Sequence, residues 1–320
     1  MNGAVPVIDF VSGVLSGVLP FFLLVVAGIG LVRLRLLDGP MVAGLSAYVF
    51  WVGFPALLIH SLSRIGAPTP ALAWGLAAFA GAALTLMAAL LLLGLILGWT
   101  REERGGAALS AGLGNSAFLG LPVVAAILGP EAARLSVGVV AVDFVIVAAT
   151  GIALLGWAGG RSIIDSAMRA LANPIVAASL IGTFMALTGL ALPALLDRAV
   201  ATAAGSGSPV ALVALGAALA LRADKDNPAP RNGPVLAAVA AKLLALPALT
   251  WLAVGLTDAP LAFRSGATLL AATPTAVNVF IQTRTLGVFA SGGARTVALT
   301  TAAACVTLSV VSMLLTAGGS

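Results

Sequence analysis

The chain of 320 residues is 61% hydrophobic and only 8% charged, with a mean hydropathy of +1.14. A soluble domain carries about 25% charged residues, so this composition excludes a water-exposed globular surface and specifies a polytopic integral membrane protein. The formal charge of +5 comes from basic residues scattered through short connections, with no basic run and no aromatic platform, which excludes nucleic acid as a partner.

Apolar runs close to the ~20 residues of a spanning helix predict ten spans, at roughly 8–32, 41–62, 71–98, 106–128, 134–157, 172–190, 194–221, 233–256, 262–283 and 294–317. Nothing basic precedes the first run, so it reads as a retained helix and not a cleaved signal, with Asp9 as its solvated start. No lipidation motif is visible. His60 closes the second span, where a hydrogen-bonded histidine is the plain reading and a pH-responsive group the sharper one. Arg101-Glu102-Glu103-Arg104 reads as a cytoplasmic turn.

The fourth span contains Gly112-Leu113-Gly114-Asn115-Ser116-Ala117-Phe118-Leu119-Gly120-Leu121-Pro122, which is written to prevent a continuous helix. Glycine loosens the backbone, while proline removes a donor and clashes with the preceding turn. Hydrocarbon tolerates the freed polar groups only where protein or a water-lined cavity satisfies them. The ninth span carries a second such stretch, Thr273-Pro274-Thr275-Ala276-Val277-Asn278. The prediction is that the two breaks cross and build a polar site. Amides at a half-helix start attract anions, and free carbonyls at a half-helix end attract cations. Asn115, Asn278, Ser116, Thr273 and Thr275 add side-chain donors and acceptors. A lone Gly or Pro would be a kink or a packing device, but two Asn-plus-Pro stretches in corresponding spans point to binding.

Two charges fall inside spans. Asp143 lies mid-way along the fifth, where apolar surroundings disfavour the charged form, as a proton-coupling carboxyl requires; a structural hydrogen bond or an ion pair with Lys242 is the rival account. Lys242, in the eighth, either neutralises a substrate carboxylate or snorkels to an interface. Gln282 and Arg284 close the ninth span and are candidates for the inner mouth of a pathway. The lone Cys305, in a late apolar run, says nothing about disulfides, and the lone His60 excludes a His-rich metal site. No metal cluster, CxxC, nucleophile–histidine pair or P-loop is present, so no enzyme chemistry and no cofactor is expected.

Connections after the odd spans hold eleven basic residues: Arg33, Arg35, Arg101, Arg104, Arg161, Arg169, Arg222, Lys225, Arg231, Arg284 and Arg295. Those after the even spans hold four, Arg64, Arg134, Arg198 and Arg264. The positive-inside rule then makes the odd connections cytoplasmic and puts both termini outside. Prolines also recur at an offset of 152 to 154, in the pairs Pro20/Pro174, Pro40/Pro193, Pro55/Pro209 and Pro122/Pro274. A five-span unit crosses an odd number of times, so its copy is inverted. Residues 1–160 and 161–320 are thus expected to be inverted five-helix repeats of one transporter-like domain, a recurrent plan of secondary carriers.

Several stretches resemble the auxin efflux carrier family of membrane transporters. Phe50-Trp51-Val52-Gly53-Phe54-Pro55-Ala56-Leu57-Leu58 is similar to its second-helix signature, and Gly114-Asn115-Ser116-Ala117-Phe118-Leu119-Gly120-Leu121-Pro122 to its fourth-helix break. Matches continue at Asn173-Pro174, Pro209-Val210-Ala211-Leu212 with Leu215-Gly216-Ala217, Lys242-Leu243-Leu244 with Pro247, and Pro274-Thr275-Ala276-Val277-Asn278. The resemblance implies an all-α fold of ten helices in two inverted repeats, with helices 4 and 9 broken and crossing at the substrate site. It implies carriage of small organic anions, auxin-like carboxylates in plant PIN-formed members and dicarboxylates such as malate or malonate in some bacterial ones. Asn115, Pro122, Pro274 and Asn278 would be the crossover residues. Compact connections, with about fourteen residues between spans 5 and 6, lack the long central loop of many plant members. The expectation is therefore a bacterial-type carrier of the cytoplasmic membrane.

Ser116, Gly120, Thr275 and Lys242 complete the expected substrate site, and Asp143 is the expected ion-coupling residue. Coupling to protons or sodium and assembly as a homodimer stay open. So do two other readings: a cation-coupled symporter or exchanger resembling bile-acid and sodium–proton carriers, and a receptor that binds the anion without carrying it.

Overall fold

A computed structural model describes residues 23–64, 68–221 and 231–317, and these are almost entirely helical. Asp9, Pro20, Arg222 and Lys225 lie outside the described residues. The helices are α1 (Leu23–Arg33), α2 (Gly39–Leu62) and α3 (Pro70–Ile96), then α4 (Arg101–Gly112). After a break follow α5 (Leu121–Ala158), α6 (Ile163–Leu171), α7 (Pro174–Thr188), α8 (Ala194–Ala220), α9 (Asn232–Val254) and α10 (Leu261–Ala271). After a second break come α11 (Val277–Leu286) and α12 (Ala290–Ala317). Among the described residues, five helices are long and apolar enough to cross a membrane, or up to seven if each bent pair is one span. The protein is a multi-pass membrane protein.

Local chemistry sets the ends. Asp38 and Thr69 cap α2 and α3 by accepting from the amides of Met41 and Leu72, with proline in each first turn. Arg101-Glu102-Glu103-Arg104 is not the turn expected from sequence. Thr100 and Glu103 form a reciprocal capping box, so the four charges become the first turn of α4. Its glutamates also suit the positive end of the helix dipole.

Two connections differ from expectation. The predicted loop between spans 4 and 5 shrinks to one point inside α5, where Gly129 adopts φ 87° and ψ 168° ahead of Pro130. Between spans 5 and 6 the chain forms α6, bent by 56° against α7. Ile163, Ile164, Met168 and Leu171 stand exposed on α6, while Ser166 and Ala170 are buried. That two-faced pattern is characteristic of a helix lying along an interface, and its apolar spacing is readable only once α5 is known to stop at Ala158.

Helices approach most closely at glycines. A Cβ on Gly216 of α8 would stand 1.9 Å from the Val25 carbonyl oxygen of α1, and one on Gly53 of α2 would stand 2.8 Å from Cα of Gly207 in α8. Small residues permit such backbone contact, where dispersion replaces the absent hydrophobic drive between helices in lipid. Buried Phe79, Met87, Leu109, Phe263 and Phe280 fill the interior. Outward-facing leucines such as Leu92, Leu95 and Leu256 leave an apolar exterior suited to lipid.

Four helical turns are widened to π geometry: Val49–Gly53, Ser116–Gly120, Asp143–Ala148 and Ala241–Ala245. In three cases a proline follows as the second residue of the next α segment, namely Pro55, Pro122 and Pro247. Proline cannot donate and its ring crowds the carbonyl one turn back, so the helix loosens just before it.

Candidate functional site

The two breaks meet. α4 ends at Gly112, and Leu113 leaves in an extended conformation. The Asn115 amide donates to the Pro274 carbonyl at 2.9 Å, and the Ala276 amide donates to the Leu113 carbonyl at 3.1 Å. Gly114 and Thr275 form an isolated antiparallel bridge between them. Each break thereby satisfies backbone groups that its own helix cannot. Thr275 is locked further: its amide donates to Thr300 Oγ1 at 3.1 Å and its hydroxyl to the Ser110 carbonyl at 2.8 Å.

Two glycines here sit at crowded points. A Cβ on Gly114 would lie 2.8 Å from Thr273 Oγ1 and 2.9 Å from Lys242 Nζ. One on Gly120 would lie 2.4 Å from Leu270 Cδ2. Gly120 thus packs against α10 and is not among the residues that line the cleft.

A narrow cleft with a cavity volume of about 10 Å³ lies beside this junction, among Phe54, Asn115, Ser116, Phe144, Val277, Asn278 and their small neighbours. Asn115, Ser116 and Asn278 of the expected site line it together. Two phenyl rings stand with three polar side chains, the mixed lining usual for a small-molecule site. Pro122, Pro274, Thr275, Lys242 and Asp143 do not line it. Pro122 shapes the π turn, Pro274 supplies a carbonyl to Asn115, and Thr275 is a strut.

The two intramembrane charges stand behind the cleft wall. Ser116 donates its hydroxyl to Asp143 Oδ2, whereas Asp143 Oδ1 is buried with no hydrogen-bond partner. Lys242, fully buried, donates from Nζ to the carbonyl of Ala271 at 2.6 Å. Ala271 is the last residue of α10, so the ammonium sits where the half-helix dipole is negative. Lys242 therefore does not snorkel. Lys242 and Asp143 lie in each other's electrostatic field, but no ion pair within 4.0 Å joins them among the described contacts.

Gln282 is the residue most altered from expectation. Instead of lining a mouth it is fully buried, donating to Asn278 Oδ1 at 3.4 Å and accepting from Asn173 Nδ2 at 3.1 Å. Its spacing from Asn278, one helical turn on the same face, was the available signal. His60 contributes its carbonyl to Arg64 at 2.6 Å. Phe54 and Phe144 could not be distinguished in the sequence from the surrounding apolar residues. Among the described residues no group of three or more His, Cys, Asp or Glu could hold a metal ion.

A family model described as "Membrane transport protein" matches residues 14–167 and again residues 161–312. The chain is also similar to a protein of Rhizobium meliloti (strain 1021) named "Putative malonate transporter". The two are 29% identical over 298 residues, which covers 89% of this chain and 90% of that protein.

Proposed function

The chain belongs to the auxin efflux carrier family of membrane transport proteins, and on that premise we propose that it is a secondary carrier of small organic anions, with a dicarboxylate such as malonate as the favoured substrate. The observation that carries this reading is the pair of hydrogen-bonded breaks with Asn115, Ser116 and Asn278 on one buried cleft. Their amides and hydroxyl offer donors to a carboxylate, and the phenyl rings of Phe54 and Phe144 pack against its carbon backbone. The relative's name supports a dicarboxylate over an auxin.

In this reading ten spans form two inverted repeats, residues 1–160 and 161–320, whose broken helices cross near the bilayer midplane. The excess of basic residues after the odd spans supports cytoplasmic odd connections with both termini outside, in what we read as a bacterial inner membrane. Lys242 contributes long-range positive charge without touching the substrate. Asp143 is the coupling group: its orphaned Oδ1 provides a site for a proton, and its partner Ser116 lies on the cleft, so occupancy of one is felt by the other.

Purified protein in liposomes is expected to show saturable malonate uptake that competing dicarboxylates inhibit. Absence of saturable flux for every dicarboxylate and aryl acetate, with and without proton or sodium gradients, overturns the proposal.

A further inference from the structure

Resting on the carrier reading above, we infer that Asn173 and Gln282 form a hydrogen-bond relay that fixes which end of the Asn278 amide faces the cleft, and so sets the site's preference for anions. A carboxamide has a donor end and an acceptor end of nearly the same shape, and only its partners decide between them. Here one partner is unambiguous. The backbone amide of Ile175 can only donate, and it does so to Asn173 Oδ1 at 3.0 Å as the N-terminal cap of α7. Asn173 Nδ2 must then donate outward, and Gln282 Oε1 receives it at 3.1 Å. This directs Gln282 Nε2 toward Asn278 Oδ1 at 3.4 Å, with a second, longer contact to Asn173 Oδ1 at 3.5 Å. What remains at the end of the chain is Asn278 Nδ2, buried and without an acceptor, on a residue that lines the cleft.

A buried donor without a partner is costly. It becomes favourable when a negative oxygen arrives. The relay therefore leaves an unmet donor on a cleft residue and presents it to a carboxylate, while disfavouring a neutral ligand that offers a donor of its own. Asn173 and Gln282 are positioning residues acting through Asn278. All three are buried, with exposures of 8%, 0% and 1%, so water competes little for these bonds.

The test is binding of malonate and of malonamide, its neutral diamide, to detergent-purified full-length protein by calorimetry. Wild type is expected to prefer malonate. Gln282→Glu supplies acceptors to both neighbours, turns the Asn278 amide over, and lowers malonate affinity about tenfold to a hundredfold, the scale of one hydrogen bond to a charged group, while malonamide affinity holds or rises. Gln282→Leu, which introduces no charge and guards against misfolding of the first variant, releases the amide and moves the malonate-to-malonamide ratio a few-fold in the same direction. Folded variants that keep the wild-type ratio overturn the relay and leave the carrier reading standing. Wild type that binds neither compound overturns malonate as the substrate and the relay's selection of it.

Discussion

At the residue scale, the site divides its polar groups into those committed to structure and those left for a ligand. Thr275 and Pro274 spend their hydrogen-bonding capacity on the opposite break, whereas Asn115 and Asn278 line the cleft. Asn115→Ala is expected to raise the malonate KM about tenfold or more in proteoliposome uptake, as loss of one bond to a charged ligand requires. Thr275→Val should act differently: it strands the Ser110 carbonyl and lowers Tm, with stability falling by about 1–3 kcal/mol. Asp143→Asn keeps an acceptor for Ser116 but cannot exchange a proton. It is expected to abolish stimulation of malonate uptake by an imposed pH gradient while gradient-free exchange persists; unchanged stimulation would remove Asp143 from coupling.

At the element scale, the half-helices end in unlike ways. Lys242 holds the last carbonyl of α10, while the end of α4 is met by the Met87 thioether, 2.7 Å from where a Cβ on Gly112 would stand. Removing one member of a buried charged set leaves its partners uncompensated, so Lys242→Met should lower Tm by stranding the Ala271 carbonyl, and lose malonate affinity through the missing positive field. Glycine contacts decide how the helices sit together. Gly216→Val would drive a branched side chain into the Val25 carbonyl, separating α1 from α8. The expected result is a lower Tm and reduced yield of monodisperse protein, from overpacking of about 1–3 kcal/mol. The π turns belong to this scale too. Pro55, Pro122 and Pro247 were visible as prolines, and a widened turn ahead of each follows from the missing N–H. The turn at Asp143–Ala148 has no proline, and we have no physical account of it from sequence.

At the scale of the whole molecule, orientation is the open prediction. In a Cys305→Ser background, Arg161→Cys should resist a membrane-impermeant maleimide in intact cells, and Asp258→Cys should react. The reverse pattern would invert the topology. Much of the architecture could be read from the chain alone, because hydrocarbon makes its demand residue by residue: apolar runs must be helical, and Gly, Asn and Pro inside them must mark places where the backbone finds other partners. That logic located both breaks and put Asn115, Ser116 and Asn278 in one proposed site. It could not say which polar groups would be used up in joining the breaks, since the bonds of Thr275 to Ser110 and of Pro274 to Asn115 link residues more than a hundred positions apart. Nor could it tell that Lys242 closes a helix end or that Gly120 packs on Leu270. A side chain's hydrogen-bonding role is set by which neighbours reach it first, and in this protein the deciding neighbours come from distant segments brought together only by the packing of the helices.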